Sequence, residues 1–500
     1  MKVETAVLVV SATLIYPLIL YYLVLTLNGI RYYLGFQERE PPHELPKVTI
    51  MIPARNEGLT VGETLRAMME LDYPKDRLEV LLLNDGSTDE TEVVARRFER
   101  EYPFIRVINV ENGGRGKGYV LNYGMKFARG EVIAVYDADN RPEKDSLKKL
   151  IALLSEETPV VVGKVKTLNW KTNVLTRFIS MEFMYFQLVS QGGRSLLFKN
   201  ALIPGTNFVI KRSILEEIGG WDEKALAEDL ELSFRIMERG YRILYNPQAT
   251  SWESEPEDWG VWFRQRVRWA TGNVYTARKY LRRLHSIRSP FVRADVIVEA
   301  TTYYLFSAAV LASDILFLHG VSLGRELNRF ALMLWAVVYG IYLFSIYAAL
   351  ALEGELRPSY VLLAPIMYYT YSQAWILVSL KGLDNVRRGA VRWYKTVRTA
   401  VIRSVYYPLF GRSVNRETLP LGLRPVIEAE KFGASRRVGE LSRKLAREEG
   451  LSEEDARAIV LSILSGANVV VVSSRKAERI ALKLGLVPIE KEVVKVEPRK

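Results

Sequence analysis

The chain has 500 residues and a formal net charge of +12, and 49% of its residues are hydrophobic. This length leaves room for two or three domains. The chain contains no cysteine, which excludes disulfide bonds and cysteine-ligated zinc. The positive charge suits either anionic lipid or nucleic acid until its distribution along the chain is considered.

Four apolar segments are candidates to cross a membrane: Thr5–Ile30, Ala300–Leu318, Phe330–Leu352 and Pro358–Leu380. Each is about long enough for the roughly 30 Å hydrocarbon core of a bilayer, and only the second contains a charge, at Asp314. Thr5–Ile30 is too long for a removed signal peptide and lacks a small-residue cleavage site. We therefore predict that it is retained as an anchor.

Basic residues cluster on both sides of the last three segments. They are Arg278, Lys279, Arg282, Arg283, Arg288 and Arg293 before them, and Lys381, Arg387, Arg388, Arg392, Lys395 and Arg398 after them. This distribution favours cytoplasmic flanks that contact anionic lipid over nucleic-acid binding. Three crossings would place the two groups on opposite sides. Either one segment, with 296–318 preferred, is re-entrant or interfacial, or the C-terminus lies outside.

Residues 45–290 alternate short apolar runs with helical patterns. Strands are predicted at Lys47–Ile52, Leu78–Leu83, Ile105–Val110, Val132–Tyr136 and Val160–Val165, and helices near 60–71, 88–101 and 117–128. This alternation predicts an α/β fold, with a parallel-core sheet and helices on both faces. Ligands of such sheets bind at the carboxyl ends of the strands.

The loops after the first two predicted strands carry polar residues suited to a nucleotide. Residues 53–57 read Pro-Ala-Arg-Asn-Glu, and Asn84-Asp85-Gly86 follows the second strand. Asp85 can accept hydrogen bonds from a nucleobase or ribose, and Gly86 permits close approach of the backbone. Taken alone, the second loop is equally typical of a turn that caps the next helix.

Two further loops offer groups that bind phosphate. Residues 112–118 read Asn-Gly-Gly-Arg-Gly-Lys-Gly, and this combination of glycines and cations can fold over phosphates, although a flexible hairpin has similar residues. Asp137 and Asp139 follow the fourth strand. Two carboxylates so spaced suit Mg²⁺ or Mn²⁺ bridging the phosphates of a sugar nucleotide, although surface turns also contain such pairs.

Three motifs lie further along the chain: Pro204-Gly205-Thr206-Asn207, Glu228-Asp229 at the start of a helix that runs to about 239, and Gln265-Arg-Val-Arg268-Trp269. A carboxylate of the second motif can deprotonate an attacking hydroxyl, although the helix dipole also favours acids there. Arg268 can neutralise a departing diphosphate, and Trp269 can stack on a sugar ring. A basic helix beside a membrane would contain the same residues.

Two segments outside these motifs are also predicted to fold. Asn173–Phe198 is apolar and aromatic, interrupted by Gly192-Gly193, and predicts an amphipathic helix on the bilayer surface, with a core helix as the alternative. From about 425 the chain becomes polar again. A strand at Asn468–Val472 and a helix at Lys476–Leu484 predict a small C-terminal α/β appendage.

The ordered motifs within about 45–275 resemble the family 2 inverting glycosyltransferases, in the membrane-integrated branch with cellulose, chitin and hyaluronan synthases. Its most specific elements are Asp137-x-Asp139, Glu228-Asp229 and Gln265-x-x-Arg268-Trp269, in the order and spacing of that family. The resemblance implies a GT-A-like fold and hexose transfer from a nucleotide sugar, with a UDP-sugar favoured. Asn84 departs from the family's usual aspartate, and processive relatives often have more spans after the catalytic domain.

The resemblance also implies roles for individual residues. Donor-binding residues would be Pro53, Arg55, Glu57, Asp85, Lys117, Asp137 and Asp139, with Asp139 the more direct ligand of Mg²⁺ or Mn²⁺ and Asp137 beside it. Acceptor-binding residues would be Gly205, Thr206, Gln265 and Trp269. Asp229 would be the general base and Arg268 its catalytic partner, and Asn122 matches a family asparagine that follows Lys117.

These implications predict the organisation of the whole chain as an anchor (1–32), a cytoplasmic glycosyltransferase domain with interfacial helices (45–290), three candidate transmembrane helices (294–381), a basic flank (382–424) and the appendage (425–500). The favoured function is extension of a polysaccharide at the cell membrane. Transfer of one sugar to a membrane lipid is the alternative. A non-catalytic sensor of nucleotide sugars is a remote third possibility, because all three carboxylate positions are intact.

Overall fold

The structure is a computed structural model that describes residues 3–321, 326–389 and short stretches between 443 and 490. The chain divides into two compact units. The first comprises Met1–Ala54, Glu63–Gly86 and Phe98–Val397, and the second comprises Arg55–Gly62, Ser87–Arg97 and Arg398–Lys500.

One eight-stranded sheet lies in the first unit. Its strands are β1 (Val48–Ala54), β2 (Leu78–Asn84), β3 (Ile105–Asn109), β4 (Val132–Val135), β5 (Arg141–Pro142), β6 (Val160–Thr167), β7 (Phe208–Lys211) and β8 (Ile243–Glu253). Their spatial order is β3-β2-β1-β4-β7-β6-β8-β5.

The helices in the first half of the chain are α1 (Val3–Gly35), α2 (Val61–Glu70), α3 (Thr91–Glu101), α4 (Lys117–Met125), α5 (Ser146–Ile151), α6 (Val174–Phe186), α7 (Arg194–Leu197), α8 (Arg212–Glu217) and α9 (Glu228–Glu238). They are followed by α10 (Trp259–Leu281), α11 (Pro290–Val321), α12 (Glu326–Leu352), α13 (Pro358–Tyr369) and α14 (Tyr371–Arg387). Short 3-10 turns lie at Lys75–Arg77 and Leu284–Ser286.

The first half of the sheet is parallel, as the sequence predicts. Strand β1 pairs in parallel with both β2 and β4, and β2 pairs in parallel with β3. All four residues of β4 are buried, and β1 and β2 have one partly exposed residue each. Such continuous burial is expected of strands that helices cover on both faces.

The second half of the sheet is mixed, so the parallel core that the sequence predicts occupies the first half. Strand β7 runs antiparallel to β4 and β6, whereas β6 and β8 are parallel. Strand β8 is not among the predicted strands, because Asn246-Pro247-Gln248 interrupts its apolar pattern where the pairing shifts register. Because β7 is reversed, the loop before it lies at the edge where β4 ends.

The predicted interruption at Gly192-Gly193 is wrong. The helix begun by α6 continues through a wider π-helical turn at Gln187–Gly193 into α7. A Cβ atom at Gly193 would lie 2.3 Å from the carbonyl oxygen of Leu25 in α1, so the glycine permits close helix packing. Apolar residues of α6 pack with residues of α12, α13 and α14 in one buried cluster.

Within the described residues, two helices are long and apolar enough to cross a membrane, at Pro290–Leu318 and Ala331–Leu352. The pair α13 and α14 is bent by 42° and would be a third if it forms one span. The predicted anchor segment lies within the helix α1, and its role as a membrane anchor remains a prediction.

In the second unit, the loops that follow β1 and β2 along the chain are hydrogen-bonded to each other. The backbone N–H of Asn56 donates to Ser87 Oγ at 3.0 Å, and its side-chain oxygen accepts from the Thr88 N–H at 2.7 Å. Strands β9 (Val469–Val472) and β10 (Val487–Glu490) pair in parallel, and β9 matches the predicted strand. The predicted helix at 476–484 and most of 382–424 lie outside the described residues.

Candidate active site

The antiparallel pairing of β7 with β4 brings Asp137 and Thr206 together. Val135 at the end of β4 pairs with Phe208 at the start of β7, so the residues two positions beyond each strand face each other. The backbone N–H of Asp137 donates to Thr206 Oγ1 at 3.0 Å and to Asn140 Oδ1 at 2.9 Å. The loop that carries Thr206 is thereby fixed beside the Asp137 carboxylate.

Lys117, the first residue of α4, joins these two loops. Its ammonium group donates to Asp137 Oδ1 at 2.6 Å and to the Gly205 carbonyl oxygen at 2.7 Å. Burial alone would lower the pKa of Lys117, but the charges of Asp137 and then Glu228 raise it above its ordinary value. Lys117 therefore remains positively charged in the site.

Asp229 approaches the same point from the N-terminus of α9. Gly205 has φ +82°, and a Cβ atom there would lie 2.8 Å from Asp229 Oδ2 and 3.6 Å from Lys117 Nζ. The other oxygen of Asp229, Oδ1, accepts from the Leu230 N–H at 2.8 Å. The backbone thus orients the carboxylate so that one oxygen points toward Gly205.

A charged cluster results, which consists of Lys117, Asp137, Glu228, Asp229 and Arg268. Burial raises the pKa of Glu228 and Asp229, and the charge of Asp229 further raises that of Glu228, to about 7. Lys117 and Arg268 lower both values. Burial likewise lowers the pKa of Arg268, against the opposing influence of the two carboxylates. The cluster thus combines two cations with carboxylates whose proton affinity is raised.

Asp85 follows β2 and Asp139 lies beyond the end of β4, with β1 between the two strands, and both residues are buried. The Asp85 carboxylate accepts from the Gly114 N–H at 2.6 Å, which connects the second and third loops. Asp139 Oδ2 accepts from the Ser254 N–H at 3.3 Å. Among the described residues, no three histidine or acidic side chains form a group that would hold a metal by themselves.

The motif from Gln265 to Trp269 lies on α10, and the structure adds Arg266, which is not among the predicted site residues. The Arg266 guanidinium lies 3.9 Å from the centre of the Trp269 ring and donates to Gln265 Oε1 at 3.1 Å. Helical spacing already places Arg266 on one face with Trp262 and Trp269. That spacing is a usable signal, but the family motif leaves this position unspecified.

Comparison with known proteins identifies the family of the chain. Residues 46–272 match the family described as glycosyltransferase like family 2. The probable glycosyltransferase YdaM of Bacillus subtilis (strain 168) is 40% identical over 406 residues, which cover 78% of this chain and 97% of that protein. The chain belongs to glycosyltransferase family 2.

Two further similarities are informative about this glycosyltransferase. The poly-beta-1,6-N-acetyl-D-glucosamine synthase of Staphylococcus aureus (strain COL) is 32% identical over 247 residues, covering 49% of this chain and 58% of that protein. The solved mannosyltransferase PcManGT of Pyrobaculum calidifontis superimposes with a TM-score of 0.52 at 23% identity, covering 76% of this chain and 99% of that one. The second similarity confirms the GT-A-like fold.

Two residues with predicted site positions, Asn122 and Pro53, have structural contacts in the glycosyltransferase. The Asn122 amide donates to the Trp221 carbonyl oxygen at 2.9 Å and accepts from the Trp221 N–H at 2.8 Å, so it fixes a turn. Pro53 pairs with Leu83 inside the sheet. Arg55 and Glu57 belong to the second unit, and their predicted donor contacts remain predictions.

Gly205→Ala is expected to impair the glycosyltransferase beyond its effect on stability. A methyl group there occupies the position 2.8 Å from Asp229 Oδ2, and the left-handed backbone disfavours any side chain. We expect a loss of about 1–3 kcal/mol in unfolding free energy and at least a tenfold loss of transfer. Thermal unfolding and initial rates measure the two effects.

Gly219→Ala is the matched control. Gly219 has φ +83°, and a Cβ atom there would meet no atom of the described residues within 4 Å. This variant should show a similar loss of stability with nearly normal transfer below its unfolding temperature. Equal losses of transfer in both variants would mean that contact with Asp229 is not what makes Gly205 necessary.

Proposed function

We propose that this hexosyltransferase moves a sugar from a UDP-sugar to a growing polysaccharide and inverts the anomeric centre. The convergence of Asp229, Lys117 and Asp137 on Gly205 carries the proposal, because it places a carboxylate base beside a cation for the diphosphate. Similarity to a protein named as a polysaccharide synthase supports a polymeric product. The mannosyltransferase solved with GDP-Man supports a nucleotide-sugar donor.

In the proposed mechanism, Asp229 accepts the proton of the acceptor hydroxyl while the hydroxyl oxygen attacks the anomeric carbon. The bond between that carbon and the diphosphate oxygen breaks, and its electron pair leaves with the nucleoside diphosphate. A single displacement turns an α-linked donor into a β-linked product. The hydrogen bond from Leu230 N–H holds Asp229 Oδ1, which leaves Oδ2 on the Gly205 side for the hydroxyl.

The two cations of the charged cluster stabilise the leaving group. Fixed positive charge beside the forming diphosphate lowers the barrier without rearrangement during the reaction. Lys117 is held by Asp137 and the Gly205 carbonyl group, so its ammonium group is already positioned. Arg268 supplies a planar guanidinium that matches two phosphate oxygens.

The residues present fit a divalent ion that is bound together with the donor. Asp139 is a carboxylate with 3% of its surface exposed, and Asp137 lies two residues away. Mg²⁺ and Mn²⁺ commonly take one or two carboxylates and complete their shell with substrate phosphates. Asp139 and Asp137 would hold the ion, which supplies positive charge to the diphosphate. Mn²⁺ in the mannosyltransferase structure supports this assignment.

A donor panel read by release of nucleoside diphosphate tests the proposal. Membranes that contain the protein would receive UDP-glucose, UDP-N-acetylglucosamine or GDP-mannose, and labelled products would be sized. We expect release with a UDP-sugar and a product of many sugars. Release with GDP-mannose alone would overturn the donor assignment, and a lipid that carries one sugar would establish the alternative acceptor.

We also propose that α11 and α12 cross the membrane and that the bent α13–α14 pair does not. The end of α12 returns to the sheet, because Glu353 pairs with Lys164 at 2.7 Å and with Lys166 at 3.2 Å on β6. Two crossings place both basic flanks on one side, which the positive-inside rule assigns to the cytoplasm.

Contacts at both ends of the bent pair support this topology. Near the start of α13, the Tyr360 hydroxyl lies 3.1 Å from Ser180 Oγ of α6. Near the end of α14, a Cβ atom at Gly382 would lie 3.0 Å from Ala270 of α10. Both partners belong to helices of the catalytic domain, so both ends lie on its side of the membrane.

The absence of native cysteine makes this topology directly testable. Single cysteines at Gly354 and Gly389, which precede and follow the bent pair, should both react only with reagents that reach the cytoplasmic side. Reaction of the second cysteine from the outside would show that the pair crosses the membrane.

A further inference from the structure

The Arg266 side chain is fully buried, although guanidinium groups usually remain in contact with water. It donates to Glu182 Oε2 of α6 at 2.6 Å. Apolar side chains that surround it include Phe178, Val267 and Trp375, and the charge of the buried Glu255 carboxylate also acts on it. Burying an ion pair in such surroundings seldom adds stability over apolar side chains of similar volume. The charge at this position therefore requires a reason other than stability.

The geometry around Arg266 provides one. Its guanidinium lies 3.9 Å from the centre of the Trp269 ring, close enough to fix the plane of the indole. It also donates to Gln265 Oε1 at 3.1 Å, which leaves the amide N–H groups of Gln265 to donate elsewhere. Arg266 thus orients Gln265 and Trp269, the two residues of α10 to which the family resemblance assigns the acceptor.

Glu182 connects this arrangement to α14. The same oxygen that binds Arg266, Glu182 Oε2, accepts from the Tyr371 hydroxyl at 2.7 Å. The Tyr371 oxygen in turn accepts from Trp262 Nε1 at 2.8 Å, which returns the chain of hydrogen bonds to α10. Arg266, Glu182, Tyr371 and Trp262 form what we name the Arg266 network. Three separate helices contribute to it.

We propose that Arg266 is a positioning residue that presents Trp269 and Gln265 to the acceptor. Tyr371 of α14 sets the orientation of the Arg266 guanidinium through Glu182. The bent pair beside the membrane thereby tunes acceptor binding without touching the donor. This inference rests on the proposed acceptor role of Gln265 and Trp269. It adds a chain of contacts from Tyr371 to Trp269 through which α14 affects acceptor binding.

Tyr371→Phe tests the link, because it removes one hydroxyl and keeps the ring. The full-length protein would be assayed with the UDP-sugar that is active in the donor panel and with an oligosaccharide of the same sugar as acceptor. Loss of a hydrogen bond to a charged group is expected to raise the acceptor KM by about tenfold. The donor KM should stay unchanged, and more donor should be hydrolysed per sugar transferred.

Tyr360→Phe is the matched control, since it removes a buried hydroxyl that also bonds to α6 but lies outside the network. Its acceptor KM should equal that of the unmodified protein. Equal changes in both variants would reduce Tyr371 to a packing role and overturn the proposal. An unchanged acceptor KM in Tyr371→Phe would also overturn it.

Arg266→Lys and Trp269→Ala complete the test. Lysine keeps the charge but loses the planar guanidinium, so the acceptor KM should rise at least as much as in Tyr371→Phe. If Trp269→Ala leaves the acceptor KM unchanged, the proposed acceptor site itself is wrong. If Trp269→Ala raises it but neither Tyr371→Phe nor Arg266→Lys does, the Arg266 network fails and the proposed function stands.

Discussion

Asp229→Asn is expected to lower the rate of sugar transfer by about 10²–10⁴-fold, the usual contribution of a general base. Asparagine keeps the shape of the side chain and can still accept the hydrogen bond from Leu230 N–H. It cannot take the proton of the acceptor hydroxyl. Donor affinity should therefore persist, and calorimetric titration with the donor would show binding without turnover.

Glu238→Gln is the control for this substitution. Glu238 lies at the other end of α9 and accepts from Ser286 Oγ, away from the charged cluster. Its transfer rate should be close to normal. Near-normal transfer by Asp229→Asn would refute the assignment of the base, and loss of donor binding would show that Asp229 serves the donor instead.

The pH profile gives a second view of the same base. Burial raises the pKa of Glu228 and Asp229, and their mutual repulsion raises that of Glu228 further, to about 7. Burial raises the pKa of Asp229 itself, and a protonated Asp229 cannot act as a base. Activity should therefore fall at a higher pH than it would for an aspartate of ordinary pKa. An acid limb at the ordinary aspartate value would contradict the assignment of the base.

The parallel half of the sheet could be predicted because its signals are local. Strands β1 to β4 are short apolar runs, each followed by a polar loop, and parallel strands place those loops at one edge. This rule predicts that Asp85, Lys117 and Asp137 lie at that edge of the sheet. The direction of β7 has no such local signal, because Phe208–Lys211 looks the same in a parallel or an antiparallel pair.

Other features depend on contacts between distant parts of the chain. Gly193 looks like a helix breaker, yet it provides the space in which α1 approaches. Arg266 looks like one basic residue among several on α10, and its partners Glu182 and Tyr371 come from helices that precede and follow it. Sequence order identifies the residues at strand ends, whereas tertiary packing decides which residues hold them in place.

Arg268→Ala is expected to lower kcat by about 10²–10³-fold, the typical cost of removing one donor that stabilises developing negative charge. Arg268 lies near Glu228, Asp229 and Asp137, and its Nε atom has no hydrogen-bond partner among the described residues. A partly buried arginine with an unused donor suits a diphosphate that arrives with the substrate. Initial rates at saturating donor measure the loss.

Arg264→Ala is the matched control, one helical turn earlier on α10 and exposed to solvent. It removes the same charge from the same helix and should leave kcat nearly unchanged. Equal losses in the two variants would mean that Arg268 acts only through general positive charge. Arg268→Lys should recover part of the rate, because it restores the charge without the two parallel donors.

The pH profile of Arg268→Ala separates the effect of Arg268 on the diphosphate from its effect on the pKa of Asp229. The positive charge of Arg268 lowers the pKa of Asp229, so its removal lets that pKa rise. The acid limb should therefore move to higher pH. A lower kcat with an unmoved acid limb would place Arg268 on the diphosphate alone, whereas a shifted limb with a normal maximum would make it a partner of the base.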